Sequence, residues 1–149
     1  MMKGFDKRWK DLPDYILGIT KEIWEDRNVH TLHGYYGKSM AKRAPDGVVV
    51  GAGNVIAETL GALAVSPGLQ ILGEDVIWSG NEDDGFLSSH RSMILLPHTQ
   101  DGPLGKATGK LLWQHCIADC ACRGNVIYDE WLVHDTAAYV RQLGLDPKA

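Results

Sequence analysis

The change in the period of the apolar residues after the helical segment 53–64 constrains the fold more than any other feature. In 6–27 and 53–64, apolar side chains recur every three or four residues, the spacing that lines one face of an α-helix. From residue 69 to residue 134, they alternate with polar residues as in a β-strand with one buried face. Helices followed by hairpin-linked strands predict an α+β fold.

The individual elements follow from these periods and from the turn residues. We predict helices over 6–27, with Pro13 separating a short first turn, over 28–36 and over 53–64, and two short strands within 38–50 joined at Pro45-Asp46-Gly47. Four long strands are predicted over 69–78, 86–98, 107–122 and 126–134, followed by a tail helix that Asp135 caps. A strongly twisted sheet of this length curls, so the N-terminal helices should cover its concave face. We expect one domain over 1–149, a cone-shaped curved sheet with a pocket inside.

Charge and hydropathy exclude several classes of partner. The 149 residues contain 15 Lys and Arg against 19 Asp and Glu, a net charge of −4 without a basic block. We therefore expect no binding to nucleic acid or to an anionic membrane surface. The sequence has no run of about 18 apolar residues that could span a bilayer. Its first ten residues are polar and mixed in charge, unlike a signal peptide, so we expect a cytoplasmic protein.

No motif of the sequence supports a metal or a nucleotide cofactor. Cys116, Cys120 and Cys122 lack a second cluster, so we predict that they are small buried residues on a strand of a protein in a reducing compartment. His30 and His33 lack a third ligand. The segment 48–56 mimics a dinucleotide fingerprint, but Ile56 stands where that motif needs Gly or Ala, and hairpins follow it.

The last hairpin is the richest candidate site. His115 and Asp119 share one face of its first strand, and Asp129, Trp131 and Asp135 share one face of its second. A three-residue turn would place both sets on the same side, and a two-residue turn would place them on opposite sides. In the first case an imidazole, carboxylates and an indole converge in a concave space, where burial suits a carboxylate to proton transfer. Alternatively, Asp135 is only a helix cap, Asp129 faces water and Trp131 is core.

Aromatic and imidazole side chains are spread over the elements predicted to face the cone. Together they suggest a pocket for a flat or cyclic, mostly apolar molecule. These residues are Trp24, Tyr35, Tyr36, Trp78, His90 and Trp113, to which we add Trp131 of the hairpin.

The end of the chain carries a family resemblance. Residues 129–135, Asp-Glu-Trp-Leu-Val-His-Asp, followed by Val-Arg-Gln-Leu-Gly at 140–144, resemble the C-terminal signature of the SnoaL-like polyketide cyclases and the related ester cyclases. These families belong to the nuclear transport factor 2-like superfamily. The resemblance implies a cone-shaped α+β barrel and a homodimer packed through the outer sheet face. It also implies aldol cyclisation without metal or cofactor, with a pocket carboxylate as general acid/base and polar side chains on the preceding strand.

Carried over to this sequence, the family's pocket residues on that strand fall near His115 and Ile117. Its catalytic Asp falls near Trp131 or Leu132, neither of which can transfer a proton. We therefore expect Asp129 or Asp135 to act as the acid/base with His115. The expected function is cofactor-independent proton transfer, such as cyclisation or isomerisation, on a cyclic or aromatic carbonyl compound. The alternative is a non-catalytic module of the same fold that binds a small hydrophobic ligand or only dimerises.

Overall fold

The computed structural model describes residues 2–148, which form helices against one mixed β-sheet. The elements in chain order are α1 (Leu12–Trp24), a 3-10 turn (Val29–Thr31), α2 (Leu32–Tyr35), β1 (Tyr36–Ala44), β2 (Gly47–Val50), α3 (Ala52–Val65), β3 (Gln70–Asn81), β4 (Gly85–Pro97), β5 (Leu111–Arg123), β6 (Val126–His134) and α4 (Thr136–Gln142). The predicted α+β class is confirmed.

The six strands lie in the order β2-β1-β6-β5-β4-β3. Within the described residues, β1 and β6 run parallel, and the other neighbouring strands are antiparallel. The sheet is not closed, because β2 and β3 are its two edges. The predicted cone is confirmed, and its last hairpin, β5–β6, lies in the middle of the sheet.

Helix α1 is shorter than the helix predicted over 6–27. The Asp11 carboxylate accepts a hydrogen bond from the Asp14 amide at 2.8 Å, so the helix begins at Leu12 with Pro13 in its first turn. Beyond its end, Arg27 adopts a left-handed conformation with φ of 62°. The Arg27 guanidinium donates to the carbonyls of Trp24, Pro67 and Leu69, which ties the end of α1 to the link before β3.

Two other predicted elements differ from the structure. The segment 28–36 forms a 3-10 turn and a four-residue helix rather than one helix. The strand predicted from residue 107 begins at Leu111, because the preceding loop folds back on His98. The His98 carbonyl accepts hydrogen bonds from Thr108 at 3.1 Å and from Gly109 at 3.0 Å, which holds that loop away from the strand ladder.

The core fills one end of the cone. Phe5, Tyr15 and Phe86 are buried there and pack edge to face, with ring centroids 5.1 Å apart for Phe5 and Tyr15 and 5.8 Å apart for Phe5 and Phe86. Such contacts stabilise an aromatic cluster beyond the burial of its area. Ile127 of β6 closes the same cluster. The opposite end of the cone is not filled in this way, and the cavity described below lies there.

Candidate active site

A cavity of about 300 Å³ lies between the concave face of the sheet and helices α1 and α3. Its wall is mostly apolar, with Ile16 and Ile23 from α1, Val55 from α3, and Ile94 and Leu132 from the sheet. This volume is at the lower end of the range for small-molecule sites.

Small residues at the centre of the sheet create the cavity. Ala118 and Cys116 of β5 face it, and so does Ser92 of β4, which pairs with Cys116. Protein interiors are otherwise close-packed, so small side chains under two helices leave space only where no large neighbour compensates. The cavity is therefore formed by small side chains on the inner strands of the sheet, not by a gap at its edge.

Glu130 is the acidic group of the cavity. Its side chain faces inward from β6, and the residue is only 7% exposed. One carboxylate oxygen accepts a hydrogen bond from the Tyr36 hydroxyl at 3.0 Å, and the other lies 4.0 Å from the Cys120 sulfur. Burial raises the pKa of Glu130 to about 7, against the smaller opposing effects of Tyr36 and Lys42. A carboxyl with this pKa can both accept and donate a proton near neutral pH.

Lys42 and Glu58 form an ion pair beside this acid. Lys42 is the partner of Glu130 in the register between β1 and β6, and its side chain is 13% exposed. Its ammonium donates a hydrogen bond to the Glu58 carboxylate of α3. All three residues line the cavity. The pair places a fixed positive charge next to Glu130 and joins α3 to the sheet at that point.

Two histidines face the same cavity from different strands. Burial lowers the pKa of His90 on β4 and, together with the nearby Lys42, that of His134 on β6, which favours neutral imidazoles at pH 7. Within residues 2–148, the Nε2 atoms of both rings are buried without a hydrogen-bond partner. Gly73 leaves room for His90, since a Cβ at Gly73 would lie 3.0 Å from His90 Nε2.

Gln114 and Tyr139 form a further polar part of the wall. Gln114 is 4% exposed and Tyr139 is 7% exposed, and both line the cavity. The Gln114 side chain lies next to the Tyr139 hydroxyl, and its Oε1 atom has no hydrogen-bond partner among the described residues. Buried polar atoms are nearly always paired in folded proteins, so the Gln114 Oε1 atom is an exception within this wall.

The polar groups of the cavity wall are spread over two strands of the sheet. Glu130 and His134 are four residues apart on β6, which is about 13 Å between their Cα atoms from the rise per residue of a strand. His90 lies two strands away from β6, and the strand spacing places its Cα about 12 Å from each of them. Their side chains lean into one cavity, so the three polar groups surround a space of one or two rings.

The cysteines do not contribute a nucleophile. Cys116, Cys120 and Cys122 are buried on β5, as predicted, and none forms a disulfide. Burial raises the pKa of Cys116 and of Cys122 to about 11, which keeps both thiols protonated at neutral pH. In the chain from residue 2 to residue 148, no group of three or more His, Cys, Asp or Glu side chains is arranged to hold a metal ion.

The three residues predicted to be catalytic do not line this cavity, so their predicted placement is wrong. Asp129 lies outside it and forms a salt bridge to Arg43 at 2.6 Å. Asp135 is exposed and caps α4 by accepting a hydrogen bond from the Ala138 amide at 3.2 Å. His115 is exposed on the outer face of β5, where it packs against Trp113.

The predicted binding residues divide between the two faces. Three of the seven, Trp24, Tyr36 and His90, line the cavity. The other four do not, and each has a different environment. Tyr35 is buried in the closed end, Trp78 packs edge to face on Phe86, Trp113 is 45% exposed on the outer face, and Trp131 lies beside the Arg43 guanidinium there.

The sequence correctly predicts which residues of the β5–β6 hairpin share a face, but it assigns the wrong face to the cavity. Asp119 pairs with Trp131 and Ala121 with Asp129, so the predicted sets do lie on one side of the hairpin. That side is the convex one, because the even-numbered residues of β5 face the helices. A signal for this was available: the cysteines at 116, 120 and 122 were predicted to be buried, and they occupy the face opposite His115. The residues of β6 that pair with Cys120 and Cys116 are Glu130 and His134, so these two also face the helices.

Comparisons with known proteins support the fold. No protein-family model matches the sequence, and a search of curated proteins finds no match either. Among solved structures, IdmH from Streptomyces antibioticus, a candidate polyketide cyclase, is similar with a TM-score of 0.76 and 16% identity, over 89% of this chain and 97% of that one. A SnoaL-like polyketide cyclase from Agrobacterium tumefaciens gives a TM-score of 0.71 and 16% identity, over 88% of this chain and 96% of that one.

AclR from Streptomyces galilaeus, a candidate hydroxylase, is also similar, with a TM-score of 0.71 and 14% identity, over 89% of this chain and 85% of that one. The chain therefore has the SnoaL-like, nuclear transport factor 2-like fold that its C-terminal sequence resembles. Because these proteins differ in their described activities, the shared fold does not define the reaction.

Proposed function

We propose that this protein is a small-molecule enzyme of the SnoaL-like type that transfers a proton on a cyclic or aromatic carbonyl compound. The observation that supports this most is Glu130, a buried carboxyl with a pKa of about 7 facing an apolar cavity. A general base works best when its pKa lies near the working pH. The mostly apolar wall lowers the local dielectric constant, which strengthens the electrostatic effect of each polar group.

The proposed step uses the residues around Glu130. Its carboxylate removes a proton from the carbon next to the ligand carbonyl, and the electron pair of that bond moves to form an enolate. The protonated Glu130 then returns its proton to the product of isomerisation or ring closure. Tyr36 holds one carboxylate oxygen, so the second oxygen is the one that takes the proton. His90, with an unpaired Nε2 atom, is placed to orient the ligand by a hydrogen bond.

In this proposal Glu130 takes the acid/base role that the sequence suggested for Asp129 or Asp135. Of the two positions near which the resemblance places the family's catalytic Asp, Trp131 and Leu132, the second faces the cavity. Glu130 lies two residues earlier on the same face of β6, so its longer side chain reaches the same space.

A non-catalytic binding role is the second candidate. The absence of an acid at both Trp131 and Leu132, near which the resemblance places the family's catalytic Asp, favours it. The polar groups of the wall would serve binding equally well. The two roles differ in one respect. A binding module needs Glu130 only for affinity, whereas an enzyme loses turnover without it.

Turnover of a library of cyclic ketones and β-keto esters separates these roles. We expect Glu130→Gln to lower kcat by a factor of about 10² to 10⁴, because general acid/base catalysis contributes that much. Asp129→Asn, which removes a carboxylate from the outer face of the same strand, is the matched control and should keep full activity. Equal turnover by wild type and Glu130→Gln contradicts the proposed base. Saturable binding without any turnover favours the binding module.

Three further expectations complete the proposal. The reaction needs neither a metal nor an organic cofactor, since a carboxyl, an ammonium and two imidazoles supply the acid/base chemistry.

The protein acts in the cytoplasm, and no helix of the described residues is long and apolar enough to span a membrane. It forms a homodimer through the outer face of the sheet, where apolar side chains such as Trp113 and Val133 are exposed.

A further inference from the structure

The Lys42 ammonium has hydrogen-bonding capacity that the protein does not use. An ammonium carries three donors, and within residues 2–148 the only hydrogen bond from Lys42 goes to Glu58. The side chain is 13% exposed and lines the cavity, so bulk water reaches it poorly. Glu58 of α3 anchors the ammonium against the cavity wall. Its remaining donors are therefore available to an oxygen of a ligand inside the cavity.

Lys42 lies beside Glu130, so its free donors and the Glu130 carboxylate can contact neighbouring atoms of the same ligand. The two residues are register partners on β1 and β6, so their Cα atoms are about 5 Å apart and their side chains rise from the same face. A ligand carbon within reach of the Glu130 carboxylate thus has its carbonyl oxygen within reach of the Lys42 ammonium.

We propose that Lys42 is a second catalytic group, which binds the carbonyl oxygen of the ligand and stabilises the enolate that forms when Glu130 removes the neighbouring proton. This inference rests on the proposed function, which names a base but no group that stabilises the negative charge on the enolate oxygen. Lys42 and Glu130 together then make a bifunctional site for a compound with an acidic C–H next to a carbonyl.

The charges of the site balance through this step. Before it, Lys42 is positive and Glu58 and Glu130 are negative, which gives a net charge of −1. Glu130 then gains the proton and becomes neutral, the C–H electron pair forms the carbon–carbon double bond, and the carbonyl oxygen takes the negative charge. The net charge stays at −1, so the negative charge only moves from one neighbour of Lys42 to another. A fixed cation between the two positions needs no reorganisation during the reaction.

A bound phenol tests this role without any turnover, because a phenolate has the same anionic oxygen on an sp² carbon as an enolate. The probe is 4-nitrophenol, whose ionised form is measured by its absorbance. The control is 4-nitroanisole, the methyl ether, which cannot ionise. Binding of both compounds is measured with two variants of the full chain, Glu130→Gln and Glu130→Gln with Lys42→Met. The Glu130→Gln change is present in both so that a Glu130 carboxylate does not repel the bound phenolate. The ionisable groups that then lie close to Lys42 are Glu58 from α3, His134 from β6 and Cys116 from β5.

We expect the ratio of ionised to neutral bound 4-nitrophenol to fall at least tenfold when Lys42→Met is added to Glu130→Gln. Lys42→Arg should retain most of the ratio, because it keeps the charge. Affinity for 4-nitroanisole should change less than twofold, which shows that the cavity remains intact. A ratio that changes less than twofold overturns the proposal, and so does the failure of both probes to bind at millimolar concentration.

Where Lys42→Met abolishes binding of 4-nitroanisole, Glu58→Gln decides the question. Removal of the Glu58 charge leaves Lys42 free to act on the phenol, so the ionised fraction should rise at least threefold over Glu130→Gln alone. An unchanged fraction overturns the proposal. These results do not depend on a substrate. A Glu130 that proves dispensable for turnover therefore refutes the proposed function, whereas the phenol experiment decides the role of Lys42 by itself.

Discussion

Glu130 is costly to bury as an anion, and this cost makes the stability of the protein depend on pH. Its carboxyl has an ordinary pKa of 4.5 when the chain is unfolded and a pKa raised to about 7 by burial when it is folded. The folded state thus binds the proton more tightly, and its stability falls as the pH rises from about 4.5 to about 7. The difference corresponds to about 3 kcal/mol of unfolding free energy, all of it lost above pH 7.

Glu130→Gln tests this cost by removing the titration. At pH 8 the variant should be more stable than wild type by up to about 3 kcal/mol, and at pH 4 the two should be equal. Urea unfolding at several pH values measures the difference, and Asp129→Asn on the outer face gives the effect of losing a carboxylate elsewhere on β6. A stability difference that does not vary with pH contradicts the burial of an ionisable Glu130.

Gln114 offers a second test at the scale of one side chain. Its buried Oε1 atom has no partner in the described chain, and an unpaired buried acceptor costs about 1–3 kcal/mol. We expect Gln114→Leu to stabilise the ligand-free protein by about 1 kcal/mol and to weaken ligand binding. Thr59→Val is the contrast, since the Thr59 hydroxyl donates to the Val55 carbonyl at 2.8 Å and its loss should not stabilise. Thermal unfolding measures both, and a destabilised Gln114→Leu would show that the amide is paired.

At the scale of elements, two glycines in helices should respond oppositely to the same substitution. A Cβ on Gly18 of α1 would overlap the ring of the buried Trp9, whereas a Cβ on Gly61 of α3 would meet open space. We expect Gly18→Ala to destabilise by about 1–3 kcal/mol through overpacking, despite the better helix propensity of Ala. Gly61→Ala should stabilise by about 0.5–1 kcal/mol. Chemical denaturation of the two variants gives the comparison, and a neutral Gly18→Ala contradicts the packing of Trp9 against α1.

The order and type of the elements could be read from the sequence because they depend on local periods. The change from a period of about 3.6 to a period of two separates α1 and α3 from the β3–β6 meander, and Gly-rich turns separate the strands. The parallel pairing of β1 with β6 has no such signal, because it joins segments about 90 residues apart. This pairing carries Lys42 to Glu130, so the sequence alone could not reveal that part of the site.

The inner and outer faces of β5 and β6 were assigned wrongly for a physical reason. Large aromatic and charged residues at odd positions were expected to line a pocket, but a cavity requires space. Ala118 and Cys116 supply that space from even positions, and the bulky Trp113 and Trp131 lie on the convex side. In a curved sheet the concave face is crowded by the covering helices, and small residues there are the better indicator of a cavity.

The molecule as a whole combines a mostly apolar cavity with large apolar side chains exposed on the outer face of its sheet. The convex face of the sheet exposes the large side chains Leu87, Leu111, Trp113, Trp131 and Val133. Large apolar side chains exposed together on one face are common where two chains meet. The outer sheet face is also where the family resemblance places a second copy of the chain. The dimer and the cavity would then use opposite faces of the same strands, which leaves the cavity open to its ligand.

Val133→Lys tests this assembly. Val133 is 65% exposed in the single chain, so a lysine there is tolerated by the monomer but would bury a charge in the proposed interface. We expect the wild type to sediment as a dimer at micromolar concentration and Val133→Lys to sediment as a monomer with an intact cavity. Leu60→Lys, on the exposed side of α3 with 52% exposure, is the control and should stay dimeric. A monomeric wild type refutes the dimer. A dimer that survives Val133→Lys shows that the copies meet through another surface, because an unpaired ammonium in an apolar interface costs several kcal/mol.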